Sequence, residues 1–264
     1  MFSSWQPAPG QEMPIGELAA KYATLSLLKK DLDKFRPLPP ETVKNLHNDM
    51  VVRYTYHSNA IEGNTLTLME TKVVLEDGLT IGGKSMREHL EAINHREAIE
   101  FLLEAVNARE PLHERFIKDL HQLVLKGVDG ANAGKYRQQN VLISGAGFTP
   151  PDFLHVQEHM TLFLHWHEYM SSNLHPVERA ARVHADFVNI HPFVDGNGRT
   201  ARLLMNLELL RAGYPIIIIP VEERSSYYSN LDAVAVRGDY KPLAWQVCGL
   251  VEKSFEPYWF VLGS

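Results

Sequence analysis

Two apolar helical repeats on either side of a short turn constrain this chain more than any other feature. From Val177 to Val188, apolar and small residues recur three and four positions apart, which predicts a largely buried helix. That helix should end at His191, because a residue that precedes proline is disfavoured in the helical conformation. The leucines between Arg199 and Arg211 show the same spacing, and Gly213 marks an end. The intervening segment is therefore a loop that leads into a second helix.

The loop, HPFVDGNGRT, carries groups that suit a phosphate ligand. Gly196 and Gly198 allow backbone N–H groups to converge on a ligand, and the start of the second helix attracts negative charge. Arg199 and Arg202 lie three positions apart in that helix, so both permanent charges can face the same phosphates. These features predict a site for a phosphate-containing ligand.

Two further side chains of the loop point to chemistry. His191 titrates near neutral pH and can accept a proton from a hydroxyl group. Asp195 offers an oxygen ligand to Mg²⁺, which usually keeps few protein ligands when it is bound to a nucleotide. A Walker loop is excluded because no GK[ST] follows the glycines, and the spacing does not fit an EF-hand.

The segment HPFVDGNGRTAR resembles the signature of the Fic family, HxFx(D/E)GNGRxxR, with every fixed position present. Enzymes of that family transfer AMP from ATP to a hydroxyl group of a protein. The resemblance implies that His191 is the general base, that Asp195 holds Mg²⁺, and that Asn197 holds the α-phosphate together with the loop amides. It also implies that Arg199 and Arg202 hold the β- and γ-phosphates.

The stretch SNAIEGN, 58–64, ends an earlier predicted helix. Ser58 and Glu62 lie four positions apart and share a helical face, and Gly63 can cap the helix. Alone, Glu62 could be a solvated residue of the last turn, although a carboxylate there favours a cationic partner. The stretch resembles the family's inhibitory motif, (S/T)xxxE(G/N). This implies that Glu62 pairs with Arg202 in place of the γ-phosphate and that Ser58 braces the helix; in some relatives the glutamate also serves AMP removal.

A break in the helical pattern between Gly134 and Pro151 predicts a short β-hairpin. The hairpin could be purely structural. The resemblance implies instead that it is the family's flap, which docks the target by adding a strand to it. Val141, Leu142 and Ile143 are the candidate docking residues.

The resemblance places an aromatic residue of the segment 222–235 near the adenine, and Tyr227 and Tyr228 are the candidates. Ala235 stands where close relatives often have Asn, so one contact to the base is in doubt. His184 could join His191 and Asp195 in a metal site, as in a metallohydrolase, but no further ligand is evident, and the family resemblance explains His191 without a metal. Phe193 is expected to be a packing anchor for the loop, and the remaining histidines are expected to be surface or core residues.

The remaining periodicity predicts further helices. Together with the resemblance, it implies an all-α, single-lobe Fic-type bundle with one short β-hairpin. We expect an N-terminal region, 1–110, with the inhibitory helix at about 41–63, a catalytic core, 111–220, and a C-terminal segment, 221–264. Met1 to Pro14 should form a loose arm, and Ile216 to Pro220 a buried extended piece. The other predicted helices are 15–35, 67–77, 85 onward, 111–125, 156–170 and a final one that opens at RGDYKPLAWQV.

The composition and charge of the chain limit its possible partners and its cellular compartment. A formal net charge of −6 argues against a duplex-DNA partner, and no apolar run is long enough to span a bilayer. The single Cys248 excludes an internal disulfide and suits the reducing cytoplasm, where we expect the protein. The chain ends soon after the core, so it is expected to be a minimal form or part of a longer protein. The resemblance also suggests a homodimer.

The sequence therefore favours a self-inhibited, Mg²⁺-dependent protein adenylyltransferase that uses ATP and modifies a Ser, Thr or Tyr hydroxyl of a target docked on the flap. Two alternatives stay within the enzyme class: removal of AMP from a modified protein, and transfer from another phosphate-containing donor. An alternative of another class is a non-catalytic module that binds peptides and senses a nucleotide.

Overall fold

The computed structural model describes residues 16–143 and 145–263, and regular secondary structure within them is helical throughout. This confirms the all-α class. Each helix in these residues is too short or too polar to cross a membrane. The arm predicted over Met1 to Pro14 lies outside the described residues. The α-helices are α1 (Glu17–Asp33), α2 (Pro40–Ile61), α3 (Leu68–Lys72), α4 (Met86–Ala108), α5 (Glu114–Val124), α6 (Val156–Tyr169), α7 (Pro176–Ile190), α8 (Asn197–Arg211), α9 (Arg224–Arg237), α10 (Lys241–Ser254) and α11 (Glu256–Leu262).

Helices α7 and α8 form the centre of the fold and pack against each other. Nearly every residue of α7 is buried, as expected for a helix with neighbours on all sides. The helix begins at Pro176, whose missing N–H costs nothing at that position, and its last residue is Ile190, with His191 as the C-terminal cap where the end was predicted. Helix α8 begins at Asn197, two residues before the predicted start at Arg199, so the second glycine of the loop lies in its first turn.

Helices α2, α4, α5, α9 and α10 pack around this central pair, and their buried side chains form one continuous apolar cluster. Local signals at the helix ends are accurate. Thr67 and Glu70 form the predicted capping box of α3, which continues through a π-helical turn, Val73–Asp77, to Gly78. One prediction near the C-terminus is wrong. The helix that begins at Lys241 was expected to be the final helix, but α11 follows it.

The segment from Ile216 to Pro220 has no regular secondary structure and is mostly buried, which confirms the predicted burial. Asn206 of α8 holds it, because its side-chain amide donates to the carbonyl of Ile217 and accepts from the N–H of Ile217. These two bonds satisfy a buried peptide group that has no strand beside it.

The predicted β-hairpin between Gly134 and Pro151 is wrong. The described residues of this segment, all but Ser144, form no strand. A two-stranded hairpin without a third strand or a covering apolar face is marginal in water, and Leu142 is 84% exposed. The ends of the segment are instead fixed by side chains: Arg137 donates to the carbonyls of Gln139 and Pro151, and Asn140 donates to Asp152.

Candidate active site

The loop between α7 and α8 begins at His191, whose backbone has the left-handed conformation with φ of 50°. This conformation costs an L-residue roughly 1–2 kcal/mol, so the surroundings must hold it. Arg137 holds it with two hydrogen bonds. Its Nε donates to the carbonyl of His191, and its backbone N–H donates to the carbonyl of Pro192, both at 2.9 Å. The guanidinium is almost fully buried and thereby fixes the start of the loop.

The imidazole of His191 is held in the form that a proton acceptor requires. Its Nδ1 lies 3.2 Å from the carbonyl of Val188, which can only accept, so Nδ1 carries the hydrogen and Nε2 is left with a free lone pair. Burial, together with the charge of Arg137, lowers the pKa of His191 to about 4, although Val188, Glu62 and Asp195 act in the opposite direction. The ring is therefore neutral at physiological pH.

Phe193 and Asn197 fix the middle of the loop. Phe193 is fully buried and stacks on His121, with ring centroids 3.5 Å apart. Asn197 Oδ1 accepts from the N–H of Phe193, and Asn197 Nδ2 donates to its carbonyl, both at 2.9 Å. The side chain of Asn197, which the family resemblance assigns to the α-phosphate, thus stabilises the conformation of the loop. Phe193 is packed as an anchor residue of a loop would be.

His121 supports the loop from α5. Its Nε2 lies 2.9 Å from the carbonyl of Asp195, and its Nδ1 accepts from the N–H of Gly134, so Nε2 carries the hydrogen. Burial lowers the pKa of His121 to about 4, which keeps the ring neutral. Gly196, with φ of 76°, passes so close that an added Cβ would lie 3.1 Å from Nε2 of this ring. The position therefore requires glycine.

Asp195 lies at the entrance of the site, with 42% of its side chain exposed. Its Oδ1 accepts from the N–H of Gly196 and lies 3.3 Å from Arg199, and its Oδ2 accepts from Arg87 at 2.8 Å. Burial alone would raise the pKa of Asp195, but Arg199, the Gly196 N–H and Arg87 hold it below its usual value. The group is an anionic oxygen ligand.

Arg199 is buried at the start of α8, and some of its guanidinium N–H groups have no hydrogen-bond acceptor among the described residues. Its ion-pair partners are Glu91 and Asp195, each at 3.3 Å. Within the described part of the chain, Nε and Nη1 of Arg199 have no hydrogen-bond acceptor. A buried cation with free donors at a helix N-terminus favours an anion, and phosphate fits it well.

Arg202, one turn further along α8, is fully buried and contacts the end of α2. Its Nε donates to Ser58 Oγ, and its Nη2 donates to the Ser58 carbonyl and to Glu62 Oε1, the last two at 2.8 Å. Burial alone would lower the pKa of Arg202, but Glu62 and Tyr227 raise it above its usual value. The structure thus brings together the residues of the loop and those of the SNAIEGN stretch.

The two candidate tyrosines have different positions. Tyr227 is fully buried. Its hydroxyl lies 2.8 Å from His184 Nε2 and 3.5 Å from Arg202 Nη1, so it contacts Arg202 from the protein interior. Tyr228 is partly exposed, and its hydroxyl donates to the carbonyl of Ile61.

The metal site that His184 could have formed is not present in the described residues. His184 is engaged by Tyr227, and no group of three metal-binding side chains occurs in residues 16–143 and 145–263. One exposed carboxylate suits a metal carried by a nucleotide.

Comparison with known proteins finds relatives of this chain by sequence and by fold. A family model described as the Fic/DOC family matches residues 111–209. A solved structure of Fic-1 from Caenorhabditis elegans superposes with a TM-score of 0.84 at 34% identity, covering 93% of this chain and 73% of that one. A Fic-domain signaling protein from Bacteroides thetaiotaomicron gives a TM-score of 0.81 at 32% identity, with 89% and 93% covered. The chain belongs to the Fic/DOC family.

Curated relatives in the Fic/DOC family are named protein adenylyltransferases. The one from Caenorhabditis elegans, fic-1, is 39% identical over 232 residues, which cover 86% of this chain and 45% of the relative. The one from Drosophila virilis, Fic, is 41% identical over 207 residues, which cover 78% of this chain and 42% of the relative. The chain thus spans less than half the length of these two relatives.

Several residues that shape the site of this Fic/DOC chain could not be found from sequence. Arg137 and His121 support the loop, and Arg87 and Glu91 contact Asp195 and Arg199. Each acts through a contact to a distant part of the chain, and none belongs to a recognisable motif. The one available signal was a basic residue four positions before an acidic one, Arg87 and Glu91, which is common on exposed helices.

Proposed function

We propose that this chain is a protein adenylyltransferase that transfers AMP from ATP to a hydroxyl group of a target protein. One observation carries the proposal: a neutral His191 with a free Nε2 stands beside a helix start where two buried arginines gather. The names of the curated relatives support the same activity. Because the chain spans only part of those relatives, the activity is proposed for this chain on the strength of its own site.

The site residues divide the reaction among them. The target hydroxyl oxygen attacks the α-phosphorus, a new P–O bond forms, and the bond to the oxygen that bridges to the β-phosphate breaks, releasing pyrophosphate. His191 Nε2 accepts the hydroxyl proton, a step that typically contributes 10²–10⁴-fold to the rate. Arg199 and Arg202 hold the β- and γ-phosphates, and the backbone N–H of Gly198 in the first turn of α8 approaches the α-phosphate. The Gly196 N–H donates to Asp195 instead, and Asn197 keeps the loop in shape.

Asp195 is the residue that would hold a nucleotide-bound Mg²⁺, which would neutralise part of the phosphate charge. Its low pKa keeps the carboxylate ionised, and its exposure leaves it open to the solvent. Tyr228 is the better candidate for the adenine, because Tyr227 is buried beneath Arg202.

Glu62 makes this a self-inhibited form. Its carboxylate pairs with Arg202, and Ser58 holds the same guanidinium through its hydroxyl and its carbonyl. A γ-phosphate would need the position of that carboxylate, and the two anions repel each other. Glu62 must therefore leave before ATP binds productively.

The target binds along Val141, Leu142 and Ile143 in this proposal. The exposed, irregular backbone of this segment can accept an incoming strand, a mode in which main-chain bonds provide affinity. Pairing of two copies and a cytoplasmic location also remain proposals; light scattering of the purified chain tests the first.

Incubation with ATP labelled on the α-phosphate tests the function. Wild type, Glu62→Gly, His191→Ala and the control His155→Ala, an exposed histidine paired with Glu158, are compared for label on the protein itself and on lysate proteins. Strong label in Glu62→Gly, faint label in wild type and in His155→Ala, and none in His191→Ala supports the proposal. No label in any variant contradicts it and directs the search to other donors, to AMP-modified substrates or to a non-catalytic nucleotide sensor.

A further inference from the structure

Four charged side chains close a ring at the entrance of the proposed nucleotide site. Arg87 Nε pairs with Glu91 at 3.0 Å, and Glu91 pairs with Arg199 at 3.3 Å. Arg199 pairs with Asp195 at 3.3 Å, and Asp195 pairs with Arg87 Nη2 at 2.8 Å. The shortest of these contacts joins Arg87 to the carboxylate that the proposed function assigns to the metal.

The two arginines of the ring differ in what holds them. Arg199 is buried, with 2% of its side chain exposed, and belongs to the first turn of α8. Arg87 lies in the first turn of α4, is 58% exposed, and contacts only Glu91 and Asp195 among the ion pairs of the described residues. Its long side chain can therefore leave Asp195 at little cost, whereas Arg199 cannot.

We propose that Arg87 occupies the metal-binding carboxylate in the resting protein, so that a divalent cation must displace its guanidinium from Asp195. The proposal rests on the proposed function for the role of Asp195. Asp195 Oδ1 already accepts from the Gly196 N–H, so Oδ2 is the oxygen open to a metal, and Arg87 holds it. A guanidinium and a divalent cation repel each other, so they compete for that oxygen.

Glu91 can keep its ion pair with Arg87 after the guanidinium has left Asp195. The bond from Arg87 Nε to Glu91 does not involve Asp195, so Nη2 can swing away while Nε remains in place. Glu91 is itself fixed, because its other oxygen accepts from Asn64 at 2.9 Å. Arg87 thus sets the metal concentration at which the site fills, and it does so without blocking the phosphate-binding arginines.

The test measures metal binding without nucleotide or transfer. Mn²⁺ alone is titrated into the full chain, and paramagnetic broadening of the Gly196 amide NMR signal is followed for wild type, Arg87→Gln, Arg87→Lys and Asp195→Asn. Arg115→Gln is the matched control, since Arg115 is an exposed arginine that pairs with an acid four positions away on α5. Thermal unfolding of each variant confirms that it is folded.

The expected result is half-maximal broadening at a Mn²⁺ concentration lower by roughly fivefold in Arg87→Gln, the factor that corresponds to loss of an exposed ion pair. Arg87→Lys should lie between it and wild type, because a single ammonium cannot bridge both carboxylates as a guanidinium fork does. Arg115→Gln should match wild type, and Asp195→Asn should show no local broadening.

Equal Mn²⁺ affinity in wild type and Arg87→Gln would overturn the proposal, as would local broadening that persists in Asp195→Asn. Absence of AMP transfer together with the expected Mn²⁺ shifts would instead count against the proposed function and leave the role of Arg87 in place. The two ideas therefore fail by different results.

Discussion

Glu62 and Gly198 lie side by side at the start of α8: a Cβ added to Gly198 would clash with Glu62 Oε1. The same oxygen is 2.8 Å from Arg202 Nη2. The carboxylate thus fills the space between the first turn of the helix and a buried guanidinium. Both of these features attract anions, so this is the space that a terminal phosphate would need.

Replacement of Glu62 by Gly should therefore increase AMP transfer. A hydrogen bond to a charged group contributes about 1.5–3 kcal/mol, which corresponds to roughly tenfold or more in nucleotide occupancy once Arg202 is free. Calorimetric titration of ATP and the rate of label transfer from ATP check the two steps separately. Glu62→Gln keeps the shape but not the charge and should give an intermediate rate. A rate at or below wild type in Glu62→Gly would mean that Glu62 is structural or serves only AMP removal.

His191→Ala should greatly slow transfer and leave nucleotide binding intact. The imidazole is needed only to accept the hydroxyl proton, whereas Arg199 and Arg202 hold the phosphates. In the Glu62→Gly background, the transfer rate should fall by about 10²–10⁴-fold while the ATP dissociation constant stays within about twofold. Rapid transfer by the double variant would remove His191 from the role of general base.

The ring of His191 should titrate far below the usual range for histidine. Burial and Arg137 lower its pKa to about 4, so the ring is neutral above that pH, and its ability to accept a proton is lost as the pH falls through it. NMR of the histidine ring signals measures this, with His191 assigned from its absence in His191→Ala. The ¹⁵N shifts should also show hydrogen on Nδ1, as the bond to Val188 requires. A midpoint near 6.5 would show that the ring is solvated.

Local features of this chain were predictable because neighbouring residues determine them. The capping box of Thr67 and Glu70 and the end of α7 at His191 follow from single short stretches. The hairpin failed for the opposite reason. A few apolar residues around Val141 resemble strands, but strand pairing depends on a partner surface that the sequence does not reveal.

The candidate site shows the same division. The loop chemistry was evident in ten consecutive residues, whereas the support for it comes from elsewhere. Arg137 binds the carbonyl of His191 across 54 positions of sequence, and Arg87 binds Asp195 across 108. Contacts of this kind arise only when packing brings helices together, so no pattern in one segment could predict them.

Gly196 should tolerate alanine less well than a glycine with the same backbone conformation elsewhere. Gly238, which caps α9 with φ of 66°, is the matched control because an added Cβ would meet nothing within 4 Å. Both substitutions place an L-residue in the left-handed region at a cost of about 1–2 kcal/mol. At Gly196 the Cβ would also press on His121, which cannot move because it stacks on Phe193 and is bonded at both nitrogens.

The added overpacking should cost Gly196→Ala about 1–3 kcal/mol more than Gly238→Ala in the free energy of unfolding. Urea denaturation of both variants measures the difference. In the Glu62→Gly background, Gly196→Ala should also slow AMP transfer, because the loop carries both His191 and Asp195, whereas Gly238→Ala should not. Equal losses of stability in the two variants would show that His121 yields, and the loop would then owe its shape to Arg137 and Asn197 rather than to the close contact at Gly196.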